Sequence, residues 1–187
     1  YLAGGASGTV SDTLERYDPN TDQWTTLASM AQASYSHLTA VHNGLLYILG
    51  GVGGTSTSSS VEIYDPSTNS WTAGPSSPSA LRHTDGITVN GKIFLLGGRN
   101  SSAQELNKVL ELDTITNTWS VKASLNKKRH GHVCAYFDGK IWAMGGFDVS
   151  QELNSVEIYD PVTDSWSDGP SLTTPRHWAV GWVSNGR

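Results

Sequence analysis

The sequence predicts an all-β protein, a β-propeller built from four blades of four antiparallel strands each. Two observations carry that prediction: a fixed repeat running the length of the chain, and short apolar strands between turn dipeptides inside every repeat. Gly-Gly pairs stand at Gly4-Gly5, Gly50-Gly51, Gly97-Gly98 and Gly145-Gly146, and single tryptophans at Trp24, Trp71, Trp119 and Trp166. The glycine steps are 46, 47 and 48 residues and the tryptophan steps 47, 48 and 47. A period of this size denotes stacked supersecondary units. The chain is read as one segment, 1–187, with repeats approximately 1–44, 45–91, 92–139 and 140–187.

The internal register is tight. Tyr17-Asp18-Pro19 recurs as Tyr64-Asp65-Pro66 and Tyr159-Asp160-Pro161, and in altered form as Leu112-Asp113-Thr114. The tryptophan follows 7 residues later, and 19 residues after it comes Asn43-Gly44, Asn90-Gly91, Asp138-Gly139 or Asn185-Gly186. Such dipeptides accept the positive φ of a two-residue hairpin turn.

Each repeat then resolves into strands. In one of them Gly86 to Val89 runs into the Asn90-Gly91 turn, and Lys92 to Leu96 runs out and stops at Gly97-Gly98. Lys108 to Leu112 forms the third strand and Thr118 to Val121 the short fourth. No window keeps a 3.6-residue apolar period, so no helix is expected. Four strands per unit, repeated radially, make a propeller blade.

Gly-Gly closing an apolar strand, Val-Glu-Ile-Tyr-Asp-Pro at Val61 to Pro66 and Val156 to Pro161, and the tryptophan in register together resemble the kelch repeat. The resemblance covers the whole chain and weakens only at Leu112 and Thr114. It implies a ring of six or seven blades. It also implies a family whose members mostly bind proteins, with a minority of enzymes that includes copper-radical galactose oxidases and a bacterial sialate mutarotase. Tyr1 to Gly5 reads as the tail of a second strand and residues 178–187 as a first strand ending in Asn185-Gly186, so the expectation is a piece of a longer propeller. A small closed ring of these units is the alternative.

Composition narrows the partners. The net charge of −5 argues against a nucleic-acid surface. The longest apolar run, Leu45 to Leu49, is too short for a membrane-spanning helix. The single cysteine, Cys134, excludes an internal disulfide. It falls inside a first strand and reads as a packing residue, which leaves a copper-radical site without its thiol. His130, His132 and Cys134 alternate, but His132 sits where the first repeat has His37, so no metal site and no cofactor are expected. The repeated tryptophans and tyrosines read as packing residues, and Glu15, Glu62 and Glu157 as one structural contact per blade.

Function is expected where the repeats differ. Nine and eight residues before the hairpin Asn or Asp stand Ser34-Tyr35, Leu81-Arg82, Arg129-His130 and Arg176-His177. After the Gly-Gly stand Val52, Arg99 and Phe147, with Asp148 next. In kelch propellers these two loop families share one rim. Carried over, the rim gathers Tyr35, Arg82, Arg99, Arg129, His130, Asp148, Arg176 and His177 as binding residues. Guanidinium groups pair with carboxylates or phosphates. The expected function is a protein-binding scaffold for an acidic peptide or protein partner, and the reading leans away from an enzyme and names no catalytic residue. The alternative is a carbohydrate-active enzyme of the sialate-mutarotase-like kelch type, binding an anionic sugar, with Asp148 or Glu152 as the acid or base.

Overall fold

A computed structural model describes residues 1–183. The described residues form strands, turns and loops. Among the described residues no helix is long and apolar enough to cross a membrane. The chain falls into two compact units, one spanning Tyr1–Arg82 and the other starting at His83.

The first unit holds two larger sheets beside two short two-stranded ribbons. The first sheet has three strands, β1 (Leu2–Ala3), β2 (Leu14–Asp18) and β3 (Gln23–Thr26). The second is a four-stranded meander of β4 (Leu38–His42), β5 (Leu45–Leu49), β6 (Val61–Asp65) and β7 (Ser70–Ala73). Leu14, Met30, Leu46, Ile48 and Tyr64 form the core here, with Trp71 packed against it.

The second unit repeats the plan with two four-stranded meanders. One contains β8 (Asp85–Val89), β9 (Lys92–Leu96), β10 (Val109–Asp113) and β11 (Thr118–Lys122). The other contains β12 (Val133–Phe137), β13 (Lys140–Met144), β14 (Val156–Asp160) and β15 (Ser165–Gly169). Phe94, Leu96, Val109, Ile141 and Tyr159 fill the core, and Cys134 is buried among them. Burial pushes the Cys134 thiol well up, so it stays protonated and inert.

The repeated motifs acquire physical causes. The hairpin residues Asn43, Asn90 and Asp138 have φ of 48°, 49° and 51°, the left-handed pair partner each following glycine needs. The seven-residue step from tyrosine to tryptophan is a cross-strand register: Tyr17 faces Trp24, Tyr64 faces Trp71 and Tyr159 faces Trp166. In the turn between them the aspartate accepts the N–H two residues on, as Asp65 Oδ1 does from Ser67 at 2.8 Å. The third repeat keeps this turn despite Leu112 and Thr114. Asp113 Oδ1 accepts from Ile115 at 2.9 Å, and Thr114 uses the N–H that proline lacks to donate to Gly91.

The sheets within each unit are fastened by one device. Asn69 Oδ1 accepts the Tyr64 hydroxyl at 2.9 Å and the Ala28 N–H at 3.0 Å, while Trp71 Nε1 donates to the Ala28 carbonyl at 2.8 Å. In the second unit Asp164, Trp166 and Ala123 make the same contacts, Ala123 N–H to Asp164 at 2.9 Å and Trp166 to Ala123 at 2.8 Å. Glu62 accepts the N–H groups of Ala31 and Gln32, and Glu157 those of Asn126 and Lys127, so both carboxylates are structural. Trp24 is different. It is 56% exposed and stacks on Tyr17, because its unit offers no earlier sheet for it to reach.

The Asn185-Gly186 turn lies outside the described residues. Residues 178–183, expected as part of a first strand, form none, since they find no ladder partner among the described residues.

Candidate functional site

The two variable loop families meet through backbone. In the first unit Tyr35 and Val52 exchange hydrogen bonds of 3.1 and 2.8 Å, and in the second His130 and Phe147 exchange 3.1 and 2.9 Å. The Gly-Gly pairs make this approach possible. Gly98 N–H donates to the Arg129 carbonyl at 2.8 Å, and a Cβ on Gly97 would stand 2.3 Å from that same oxygen.

The second unit gathers a cluster on this edge. Arg99 bonds Glu105 Oε1 through Nε at 3.0 Å and Nη2 at 2.6 Å. Burial pushes the Glu105 carboxyl up most, but the Arg99 hydrogen bond and charge together with a backbone N–H hold the group below its usual range. His130 Nδ1 lies 3.8 Å from Glu105 Oε1. Burial, then the Arg99 charge, push the His130 imidazole down to about 4, so at neutral pH it is an uncharged ring. His130 stacks with Phe147 and Trp178, each at 5.6 Å. Phe147 also lies 5.4 Å from the ring of His177, whose Nδ1 meets Glu152 Oε1 at 3.0 Å. The cluster thus holds one hydrogen-bonded imidazole–carboxylate pair, His177 with Glu152, and one buried neutral imidazole, His130, around two aromatic rings.

Beneath it opens a cavity of about 420 Å³ between β8, β12 and residues 178–181, lined by His83, Asp85, His132, Cys134 and Trp178 among others. His83 and Trp178 belong to both, packed edge to face at 5.0 Å. His132 is 3% exposed, and neither ring nitrogen has a hydrogen-bond partner among the described residues. Burial pushes it down to about 3. Burial also holds the Asp85 carboxyl above its ordinary range, against the pull of the Cys134 N–H that donates to Oδ2 at 2.6 Å.

The eight expected binding residues have separate fates. Arg99, His130 and His177 lie in the cluster. Asp148 sits on the adjoining two-stranded ribbon of Phe147–Asp148 and Gln151–Glu152, half-buried. Arg176 is exposed, with Nε donating to the Thr174 carbonyl at 3.3 Å. Tyr35 and Arg82 belong to the first unit. The Arg129 side chain is turned inward: it is 0% exposed and paired with Glu157, because the Gly145 and Ser155 carbonyls and that carboxylate surround its guanidinium.

Four site residues were not anticipated: Asp85, Glu105, His83 and Trp178. Asp85 carried a signal. It stands five residues before its hairpin turn, where the other repeats have Leu38, Val133 and Val180. His83 and Trp178 carried another, being equivalent to Ser36 and Gly131 at seven residues before the turn. All four have positive φ, between 53° and 58°, in the left-handed region three of them occupy at a cost. A Cβ on Gly131 would lie 3.0 Å from the Trp178 ring, so the glycine makes room for it. Among the described residues no group of three or more His, Cys, Asp or Glu is placed to hold a metal ion.

Comparisons with known proteins agree on the architecture. A family profile described as the KLHDC2/KLHL20/DRC7 Kelch-repeats domain matches residues 1–121 and 36–186. Alpha-scruin of Limulus polyphemus is 33% identical over 148 residues, 78% of this chain and 12% of that protein. Kelch repeat and BTB domain-containing protein 12 of Homo sapiens is 46% identical over 44 residues, 24% of this chain and 7% of that protein. The chain therefore spans a small fraction of the curated relatives it matches. The solved structure of YjhT superposes with a TM-score of 0.89 over 98% of this chain and 71% of that one, at 17% identity. This match establishes the β-propeller fold. It also corrects one expectation. The sequence reading leaned away from an enzyme, and a match that carries the propeller fold at 17% identity gives that lean no support, so it is withdrawn.

Proposed function

The chain belongs to the kelch-repeat β-propeller family, and from that premise we propose that it handles a sugar acid, as an enzyme of the sialate-mutarotase-like kelch type, at the cluster and cavity of its second unit. The observation that carries this reading is the hydrogen bond of 3.0 Å between His177 and Glu152 beside the Phe147 and Trp178 rings. Aromatic rings take the apolar face of a sugar, and neighbouring imidazoles and carboxylates exchange hydrogen bonds and protons with its hydroxyls. The exposed Arg176 beside His177 is suited to the sugar's carboxylate. A cavity of about 420 Å³ is in the size range of small-molecule sites.

An acidic peptide is less well served. Two of the four arginines assigned to such a partner already hold carboxylates, Arg129 that of Glu157 and Arg99 that of Glu105.

The test is the exchange between α and β anomers of N-acetylneuraminate, followed by proton NMR. The protein should speed it well above the buffer rate and leave neutral glucose unaffected. An unchanged exchange rate at saturating protein would dismiss the reading.

A further inference from the structure

Resting on the sugar-acid reading, we propose that Asp85 is the general acid that opens the sugar ring in the cavity beneath the cluster.

Its position has no counterpart in the repeat. The other first strands carry Leu38, Val133 and Val180 there, so the blade needs no carboxyl at this point. Asp85 lines the cavity together with His83, His132 and Trp178. Its Oδ2 accepts the Cys134 N–H at 2.6 Å and the carboxyl also accepts the Gly86 N–H, so the group is held in place on the cavity wall. The titratable groups that line the cavity with it are His83 before its own strand, His132 just before the neighbouring strand and Cys134 on that strand. No lysine or arginine lines the cavity among the described residues, so nothing there draws the carboxyl into an ion pair. Burial holds its carboxyl above the ordinary carboxylate range, against the pull of the Cys134 and Gly86 N–H groups.

The step balances without an oxidant or a co-reactant. Asp85 gives its proton to the ring oxygen while the bond from that oxygen to the anomeric carbon breaks. The anomeric hydroxyl loses its proton to the His83 imidazole and becomes the open-chain carbonyl. Closure on either face of that carbonyl returns both protons to where they began. Trp178 stacks on the ring and keeps it over the cavity while the carbonyl turns.

The experiment compares Asp85→Asn with the unchanged protein in two measurements, binding of N-acetylneuraminate by saturation-transfer NMR and anomer exchange by proton NMR. Asparagine keeps the acceptor for Cys134 and removes the acid. Binding should persist while exchange falls about 100-fold or more. Asp85→Leu, which restores the residue type of the other repeats, should fold and also lose exchange. If the unchanged protein neither binds nor accelerates, the sugar-acid reading fails and this proposal with it. If it accelerates and Asp85→Asn matches its rate, the sugar-acid reading stands and Asp85 is overturned as the acid.

Discussion

Arg129 and Glu157 form an ion pair closed off from water, with Nη2 to Oε1 at 2.5 Å and side chains 0% and 1% exposed. The carboxylate also accepts two backbone N–H groups, and the guanidinium also donates to the Gly145 and Ser155 carbonyls. A pair so enclosed ties the loop before β12 to β14 from inside the unit.

Removing one partner leaves the other charge buried alone. Glu157→Gln or Arg129→Met should cost about 3–5 kcal/mol of stability, read from urea unfolding. Replacing both with apolar residues should cost less than the sum of the two. Charge reversal at Arg129 should therefore report loss of folding, and equal stability of the single variants with the parent would refute the assignment.

Asn69 supplies both a strained backbone and two hydrogen bonds, with φ of 50°. Asn69→Gly preserves the turn and loses the bonds to Tyr64 and Ala28, so it should cost about 1–3 kcal/mol in thermal or urea unfolding. Asn69→Ala should cost about 1 kcal/mol more, because alanine pays for the left-handed conformation. Equal losses would show that the bonds, and not the left-handed turn, carry the effect.

His132 couples stability to pH. Its folded value of about 3 lies below the ordinary 6.5, so between those limits the unfolded chain binds the extra proton. Stability should be whole above pH 6.5 and decline as pH falls toward 3, by up to about 1.4 kcal/mol per pH unit for this one group. His130 adds the same dependence between 6.5 and about 4. His132→Ala should flatten the acid side of a stability–pH curve measured by urea unfolding, and an unaltered slope would count against its burial as a neutral ring.

Gly131→Ala tests whether Trp178 matters to the proposed chemistry. The added methyl meets the Trp178 ring and sits at a φ of 58°. The anomer exchange rate should drop at least several-fold, with stability down by about 1–2 kcal/mol. An exchange rate equal to the parent's would remove Trp178 from the site.

The strands and turns were legible because each rests on local chemistry that the repeat states several times. Asn43, Asn90 and Asp138 must turn left-handed, and Tyr64 and Trp71 must meet across a hairpin. The site was only partly legible. Arg99, His130 and His177 could be picked out as departures from the repeat, but the direction of a side chain is set by what surrounds it. Arg129 and Arg176 hold the same repeat position, yet Glu157 and Ser155 draw one inward while the other stays in solvent. Asp85 was legible in principle, as an acid in a column of aliphatics. Glu105 had no such marker, since it lies in the segment whose length varies between repeats.

The contacts of Ala28 with Asn69 and Trp71, and of Ala123 with Asp164 and Trp166, give one repeat of each unit an eye and the next a hook. A gene segment of one repeat length, copied in tandem, would arrive already able to latch onto its parent. Growth by duplication then asks for no new joint, and change is free to collect in the loops that face away from it.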